Sequence, residues 1–566
     1  MSASENSTAA EGKEDASIKQ PPTAWAPFAF PAFTVLWVAT VASNVGTWMH
    51  DVGAAWLMTE LSPSPAIVAG VQAATTLPVF MFAILAGAIA DIVDRKRLLI
   101  VVNTFMMATA AGLATLVSLE LVTPLVLLVF TFLLGTGAAF MAPAWQAIVP
   151  ALVPRENLSA AIALNSTGIN VSRAIGPALA GFLIVSVGLG APFILNALSF
   201  LGIIAALLWW KTPEHAPPKL PPEKVGAAVI AGLRYAWNST PVQATLIRAA
   251  AFFVFASALW AMMPLVAKEL LQGGPTLYGV LLASIGAGAV GGAFLLPVIR
   301  QKLGADGTVA AGTIGTAAVL AALSLIKDTN VAVIAAAVAG ASWIAVLSSL
   351  HVSAQTTLPN WVRARGLSIF LTVFFGAMSA GSLIWGQVAT YWSIETSLLI
   401  AAIGIVLAVP LTWRAKLQQG ASPDLSPSMH WPVPIIDNEE TDRAGPVMIQ
   451  VTYQVDNAQQ PGFIRLMDDL AHARRRNGGY AWTLMQDAAD KQTFIETWFE
   501  ASWVDHLRHH ERVTKADQEL QERLSALTQG NEKPKVCHYL STMADAPPKN
   551  SVDGTQPSDT SPRSAP

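Results

Sequence analysis

Cysteine is almost missing from this 566-residue chain. The single one, Cys537, excludes an intramolecular disulfide framework and a cysteine-cluster metal site. Charge is scarce as well. Asp, Glu, Lys and Arg make up 13% of the residues, against roughly 25% in an ordinary soluble protein. Neither sign dominates, and a net charge of −3 gives no footprint for nucleic acid. A basic segment leading into an apolar core is absent at the start, so no cleavable signal peptide is expected, and residues 1–27 read as a disordered lead-in.

The scarcity is uneven. Residues 1–413 hold 34 of the 71 charged side chains, about 8% of that stretch, and residues 414–566 hold the other 37, about 24%. A long apolar body therefore precedes a soluble tail, which excludes a single soluble globule and a wholly disordered chain.

A bilayer core of about 30 Å takes roughly 20 apolar residues per helix. Twelve such runs are present: 31–57, 66–90, 98–119, 123–148, 160–188, 191–210, 245–267, 277–299, 307–326, 330–352, 367–390 and 395–413. Trp209, Trp210, Trp361, Trp392 and Trp413 fall near their ends, as interfacial aromatics do. Fourteen Lys and Arg lie in one set of connections, among them Arg95, Arg155, Arg300 and Arg414, against only Lys268 and Lys327 in the other set. That bias puts both termini in the cytoplasm, together with the connection 211–244. After a Pro-rich start this connection turns helical over Glu223–Asn238, with Ile230, Leu233 and Trp237 on one face. It reads either as an amphipathic helix on the inner membrane surface or as a plain linker helix.

The halves echo each other. Gln146-x3-Pro150-x2-Val153 matches Gln355-x3-Pro359-x2-Val362, and Leu61-x3-Pro65 matches Leu271-x3-Pro275, both about 210 residues apart. Duplicated six-helix units, 28–210 and 245–416, joined by a long loop predict a substrate site between the halves near the midplane.

Three groups of residues carry a family resemblance. The loop from Gly87 through Asp91 to Asp94, Arg95, Lys96 and Arg97 resembles the G-x-x-x-D-(R/K)-x-G-R-(R/K) signature of the major facilitator superfamily, with Ile92 and Asp94 departing from it. The second-half counterpart, Pro297-x3-Gln301-x2-Gly304, is degenerate. Ser172-Arg173-x2-Gly176-Pro177-x2-Ala180-Gly181 resembles the exporter signature G-x-x-x-G-P-x-x-G-G. The arginine usual early in span four is absent. Stretches such as Pro143-Ala-Trp145-Gln146 and Trp361-Val-Arg363-Ala-Arg365-Gly366 are similar to the enterobactin-exporter-like branch, also described as transmembrane secretion effectors. The resemblance covers roughly residues 28–416 and implies an all-α, twelve-helix efflux carrier in the bacterial inner membrane. It also implies a gating latch at the cytoplasmic face, with Asp91 set against Arg363 and Arg365 at the start of span eleven, whose N-terminus is itself partly positive. The other reading is that Arg95, Lys96 and Arg97 merely orient the loop and Asp91 balances them.

Ionisable groups inside spans are functional candidates by default. Asp51 lies on span one beside His50, with Asn44 seven residues earlier on about the same face and Trp48 between. Burial disfavours a charged carboxyl group, so Asp51 is the candidate proton carrier, or else it is wetted and only ends the apolar stretch. Arg173, near the middle of span five, reads as an ion pair with Asp51 or as a fixed cation for an anionic substrate. Gly176, Pro177 and Gly181 bend and pack span five. His351 and Arg248 near span ends are expected to snorkel. Gln72, Asn165, Asn170, Trp260 and Trp343 read as packing groups.

Residues 417–445 read as a linker. Residues 446–541 read as a ferredoxin-like α+β domain: strand Val447–Val455, helix Phe463–Arg475, strands Tyr480–Gln486 and Thr493–Phe499, one long helix Trp503–Leu527, and strand Lys535–Leu540. Residues 542–566 read as disordered. The run from Ser502 to Arg512 resembles the antibiotic-biosynthesis-monooxygenase type of domain, which implies a homodimer joined through its sheets more than catalysis. His506, His509 and His510 lie at metal-ligand spacing, but no acidic or cysteine partner completes a set, and a solvated helix face is expected instead. No metal and no cofactor is expected. The expected partners are the bilayer, a small-molecule substrate and protons. The combined expectation is proton-driven efflux by alternating access. Two alternatives stay open: a membrane-anchored sensor or scaffold, and a carrier whose tail acts as a monooxygenase.

Overall fold

Proline opens many of the long helices, where its missing N–H costs nothing. Pro31, Pro65 and Pro124 take the first helical position, and Pro192 and Pro241 the second. The computed structural model describes residues 24–211, 225–418, 424–431, 445–528 and 534–541, apart from a few side chains, Asp91 and Arg155 among them. The expected disordered ends 1–27 and 542–566 fall largely or wholly outside these ranges.

The first half comprises α1 (Pro31–Leu61), α2 (Pro65–Ile92), α3 (Arg95–Ser118), α4 (Pro124–Ile148), α5 (Leu158–Ser186) and α6 (Ala191–Trp209). A surface helix α7 (Val225–Trp237) leads into α8 (Thr240–Leu265), α9 (Pro275–Leu325), α10 (Thr329–Thr356), α11 (Arg363–Tyr391) and α12 (Ile394–Leu411). Among the described residues, eleven helices are long and apolar enough to cross a membrane. The twelve expected runs thus fall on eleven helices, because two of them lie within the 51 residues of α9. The reason is Gly304. Its φ of +68° interrupts the helical backbone and is open to glycine without a steric penalty. Both arms of α9 then lie against α10: Gly292 meets Ala341, and Gly312 meets Ser342 and Val346. The chain therefore doubles back at Gly304.

The echoed motifs take the same local form. Pro65 and Pro275 each start a helix, and Val153 and Val362 are each buried just before one. Packing differs between the two ends of the bundle. At the end away from the tail, one apolar core runs through both halves, from Met49 and Phe193 to Leu259, Leu281 and Leu398. Toward the tail, the halves hold separate cores, one around Leu99, Trp145 and Phe200, the other around Phe253, Trp343 and Phe370.

The tail comprises β1 (Val447–Gln454), α13 (Gln460–Asn477), β2 (Tyr480–Gln486), β3 (Thr493–Glu500), α14 (Trp503–Arg512), α15 (Lys515–Ser525) and β4 (Lys535–Leu540). Its four strands form an antiparallel sheet in the order β2-β3-β1-β4. The single helix expected over Trp503–Leu527 is two helices. Val513 leaves helical geometry, and Thr514 starts α15 with a reciprocal capping box to Asp517. Part of the expected linker is not free chain. Pro427 bridges to Thr514, and Trp431 donates to Gln521 at 3.0 Å.

Candidate functional site

A cavity of about 200 Å³ lies between the halves. The first half contributes Trp48 and Asp51 from α1, Gln72, Thr75 and Thr76 from α2, and Arg173 from α5. The second contributes Trp260 from α8, Tyr278 from α9, Trp343 from α10, and Phe374, Phe375 and Met378 from α11. The wall is mostly aromatic and apolar. Trp260 meets Trp343 edge-on at 5.3 Å, and Trp343 meets Phe374 at 6.3 Å. Such a wall suits an organic molecule, with a few polar groups to orient it.

Asp51 and Arg173 both face this cavity, and among the described residues no ion pair joins them. The Arg173 guanidinium instead lies over the Trp48 ring at 5.4 Å, and its Nε has no hydrogen-bond partner. His50, next to Asp51, turns away. It is buried edge-on against Phe193 at 4.8 Å, with neither ring nitrogen bonded. Asn44 is half-buried and lies off the cavity wall. Gln72, Trp260 and Trp343, read from the sequence as packing groups, line the cavity. Asn165 does pack, accepting from Trp145 at 3.0 Å, and the Asn170 amide donates back to Ser166 at 2.9 Å. Tyr278, Phe374, Phe375 and Met378 escaped the sequence reading, because single apolar residues within an apolar span carry no signal of their own.

Arg248 does not snorkel. It makes an ion pair at 2.8 Å with Asp306, just past the Gly304 reversal, and Asp306 also accepts from the Leu417 amide at 3.0 Å. Asp306 was missed because it stands 58 positions from its partner with no local pattern. His351 bonds to Gln355 on its own helix at 2.9 Å and meets Phe370 of α11 edge-on at 5.9 Å.

The exporter-like residues on α5 serve two seams. At Gly176 a Cβ would press on Trp48 of α1, within the same half. At Gly181 a Cβ would come within 2.8 Å of the Pro275 carbonyl oxygen on α9, across the boundary between halves. Pro177 is buried between them, its carbonyl against Gly279. At the same end, the Lys268 ammonium donates to the Thr59 carbonyl, and the Ala66 amide donates to the Thr390 hydroxyl at 3.0 Å.

At the tail end, α2 and α11 approach at Gly87 and Ser368. The Asp91 side chain, one turn beyond Gly87, lies outside the described residues. Asp94 caps α3 by accepting from the Arg97 amide at 2.7 Å. Arg95 donates to the Ala90 and Ala147 carbonyls, at 3.5 and 3.3 Å, and the Lys96 ammonium donates to the Trp210 carbonyl. These two cations thus bind the C-terminal ends of α2, α4 and α6, where the helix dipole favours positive charge. Arg97 and Arg363 are exposed, and Arg365 packs on Gly232 of α7.

The tail docks at this same end. Arg234 of α7 donates to the Gly478 carbonyl at 3.3 Å. Arg476 lies over Tyr235 at 5.5 Å, and Arg512 over Trp361 at 4.4 Å. Ile230, Leu233 and Trp237 of α7 are exposed, the last at 82%. Inside the tail, Arg474 is paired with Glu496 at 3.1 Å, and Glu496 also accepts from Tyr453 and Trp482.

The histidines on α14 overturn the expectation of a solvated face. His506 and His509 are each 1% exposed. Both reach Glu500, His506 Nδ1 at 2.9 Å and His509 Nδ1 at 2.5 Å, and Glu500 also accepts from Trp498 at 2.9 Å. Burial alone would raise the Glu500 carboxyl, but His509 and His506 outweigh it and hold it below the usual carboxylate range. Burial first, then His506 and His509, pushes the His510 imidazole down to about 3, so it is neutral. The acid thought to be missing sits on β3, outside the helical spacing searched for in the sequence.

With this geometry in hand, three kinds of comparison agree. The family model described as transmembrane secretion effector matches residues 22–546. The staphyloferrin A transporter of Staphylococcus aureus is 24% identical over 268 residues, covering 46% of this chain and 65% of its own length. The multidrug efflux pump Tap of Mycolicibacterium fortuitum is 22% identical, covering 67% of this chain and 93% of its own length. The enterobactin exporter EntS of Citrobacter koseri is 24% identical, covering 67% and 90%. Among solved structures, a bacterial homolog of the human lysosomal transporter Spinster, inward-facing and unoccupied, has the same fold at a TM-score of 0.56. It is 14% identical and covers 68% of this chain and 96% of its own.

Proposed function

Because this chain belongs to the transmembrane secretion effector family of the major facilitator superfamily, we propose that its central cavity carries a small siderophore- or drug-like molecule out of the cell, driven by protons. The chain is a multi-pass protein of the bacterial inner membrane and a secondary transporter of the efflux type. A membrane-anchored sensor is not favoured. The observation that carries the substrate reading is the cavity: both halves line it, its wall is aromatic, and its charged groups, Asp51 and Arg173, have no ion-pair partner among the described residues.

In this reading α9 crosses the membrane twice, giving twelve crossings. A straight helix of 51 residues would run about 76 Å, more than twice the bilayer core. The basic bias of the connections makes the tail end cytoplasmic, with both termini there and α7 on the inner membrane surface. The halves rock about the seams at Gly181 and at Gly87. Asp51 takes up and releases the coupling proton, and Arg173 holds an anionic part of the substrate. The approach of Gly87 to Ser368 supports a latch between Asp91 and the start of α11, near Arg363 and Arg365.

The tail topology supports the ferredoxin-like reading, and its role in this reading is accessory rather than catalytic. Its sheet leaves Tyr480, Met485 and Tyr539 about half exposed on strands β2 and β4, and two copies joined through that surface would make the homodimer.

The test is efflux from cells lacking their own pumps, loaded with a panel of siderophores and drugs. The reading expects at least one compound to be extruded, and a protonophore to stop it. Extrusion that ignores the protonophore removes proton coupling. No extrusion from a panel that includes the compounds named for the relatives removes the substrate class.

A further inference from the structure

The tail holds a second convergence of functional groups that transport does not use. His506 and His510, four residues apart on α14, face each other with their Nε2 atoms 3.1 Å apart. His538 joins them from β4. One ring nitrogen from each of the three lies within 4.8 Å of the others. The ring centroids of His506 and His510 are 4.6 Å apart, and those of His506 and His538 are 4.8 Å apart.

The hydrogen bonding fixes which nitrogen is free. The Glu500 carboxylate can only accept, so His506 Nδ1 carries the hydrogen, and its Nε2 presents a lone pair toward His510. His510 Nε2–H then donates to it, and moving that hydrogen to His510 Nδ1 leaves both Nε2 lone pairs free for a metal ion. A carboxylate behind a histidine, with the far nitrogen turned outward, is the arrangement that orients a metal-binding imidazole and raises its basicity. Around a tetrahedral zinc ion with Zn–N bonds of about 2.05 Å, ligand nitrogens stand about 3.3 Å apart. The His506–His510 spacing already matches this. His538 is exposed on an edge strand, so its side chain has room to close in, and the ion has a route from solvent.

The geometry points to a tri-histidine site for a divalent ion of the zinc class, held by His506, His510 and His538, oriented by Glu500 and leaving a fourth position open to solvent. Three imidazoles suit zinc, copper or nickel better than the harder calcium or magnesium, which prefer oxygen. The ion would tie β4, which pairs only with β1 among the described strands, to α14. The site would therefore act first on the stability of the tail.

The experiment uses the full chain in detergent, purified without a histidine tag, stripped with a chelator and titrated with Zn²⁺ and with Co²⁺. One Zn²⁺ per chain and an intense visible Co²⁺ spectrum, the mark of tetrahedral coordination, are expected. Zinc should raise the Tm of the tail. His538→Ala changes an exposed side chain and should leave the fold intact, while weakening Zn²⁺ binding by more than about tenfold, at least the loss seen for an outer-shell partner. His538→Cys should keep binding and add a thiolate-to-metal absorption to the Co²⁺ spectrum. His472→Ala, exposed on α13, should change nothing. The proposal is overturned if the wild type binds no more Zn²⁺ than the double variant His510→Ala/His538→Ala, or if Co²⁺ gives only the weak spectrum of a hydrated ion.

Discussion

Each half carries an arginine inside a span, and the two are treated differently. Arg248 in the second half is 5% exposed and locked to Asp306 at 2.8 Å. Arg173 in the first half faces the central cavity, rests on the Trp48 ring, and leaves its Nε unbonded. A charge sealed against its counter-ion has one stable arrangement and serves as a brace. A charge that faces the central cavity, with Asp51 on the same wall and no ion-pair partner among the described residues, has no such brace. The tail follows the first pattern throughout its core, where Arg474, Glu496, Arg476 and Asp517 are all paired. Under the proposed function, partnering separates structural from functional charge better than depth in the span does.

The contrast can be broken from its structural side first. Asp306→Asn strands a buried guanidinium and should cost about 3–5 kcal/mol, read as a fall in folded yield and in detergent Tm. Replacing both partners, Arg248→Met with Asp306→Leu, should recover most of that loss. Gly181→Leu should come next. Its side chain would press on the Pro275 carbonyl across the seam, costing about 1–3 kcal/mol of overpacking, and efflux should fall further than stability does. Arg173→Gln sharpens the contrast. No carboxylate is left stranded, so Tm should hardly move, while efflux of an anionic substrate drops about tenfold, the worth of one charge-assisted hydrogen bond. A stability loss as large as that of Asp306→Asn would place Arg173 among the braces.

The smallest effect lies in the tail. Burial alone would raise the Asp517 carboxyl, but Arg476 and the Thr514 hydrogen bonds outweigh it and hold it below the usual range. A depressed carboxylate contributes stability above its ordinary pKa of about 3.9 and loses it as pH falls through the folded value. Acid unfolding of the tail below about pH 4 should therefore become shallower in Asp517→Asn, measured by tryptophan fluorescence of the full chain.

Much of the body was legible because a bilayer imposes long apolar runs, and short stretches between them are basic or start with proline. The tail strands Tyr480–Gln486 and Lys535–Leu540 have the limits read from the sequence. What stayed hidden depends on distance in the fold. Asp306 meets Arg248 only because α9 reverses at Gly304. Glu500 and His538 meet α14 from two strands, so no helical spacing reveals them. The break at Thr514 was different: Thr514-x-x-Asp517 is a capping signature in plain view, outweighed by the continuous apolar spacing on either side. In the cavity, Asp51 and Arg173 stood out as charges in apolar spans and Trp260 and Trp343 were read only as packing groups, whereas Tyr278, Phe374 and Phe375 carried no signal.

The central claim is that Asp51 couples the cavity to protons. The most direct measurement compares wild type with Asp51→Asn in proteoliposomes, using the compound identified by efflux, under an imposed pH gradient and again in substrate exchange without one. The account predicts that the variant loses gradient-driven accumulation and keeps exchange. Equal accumulation by both proteins would contradict it.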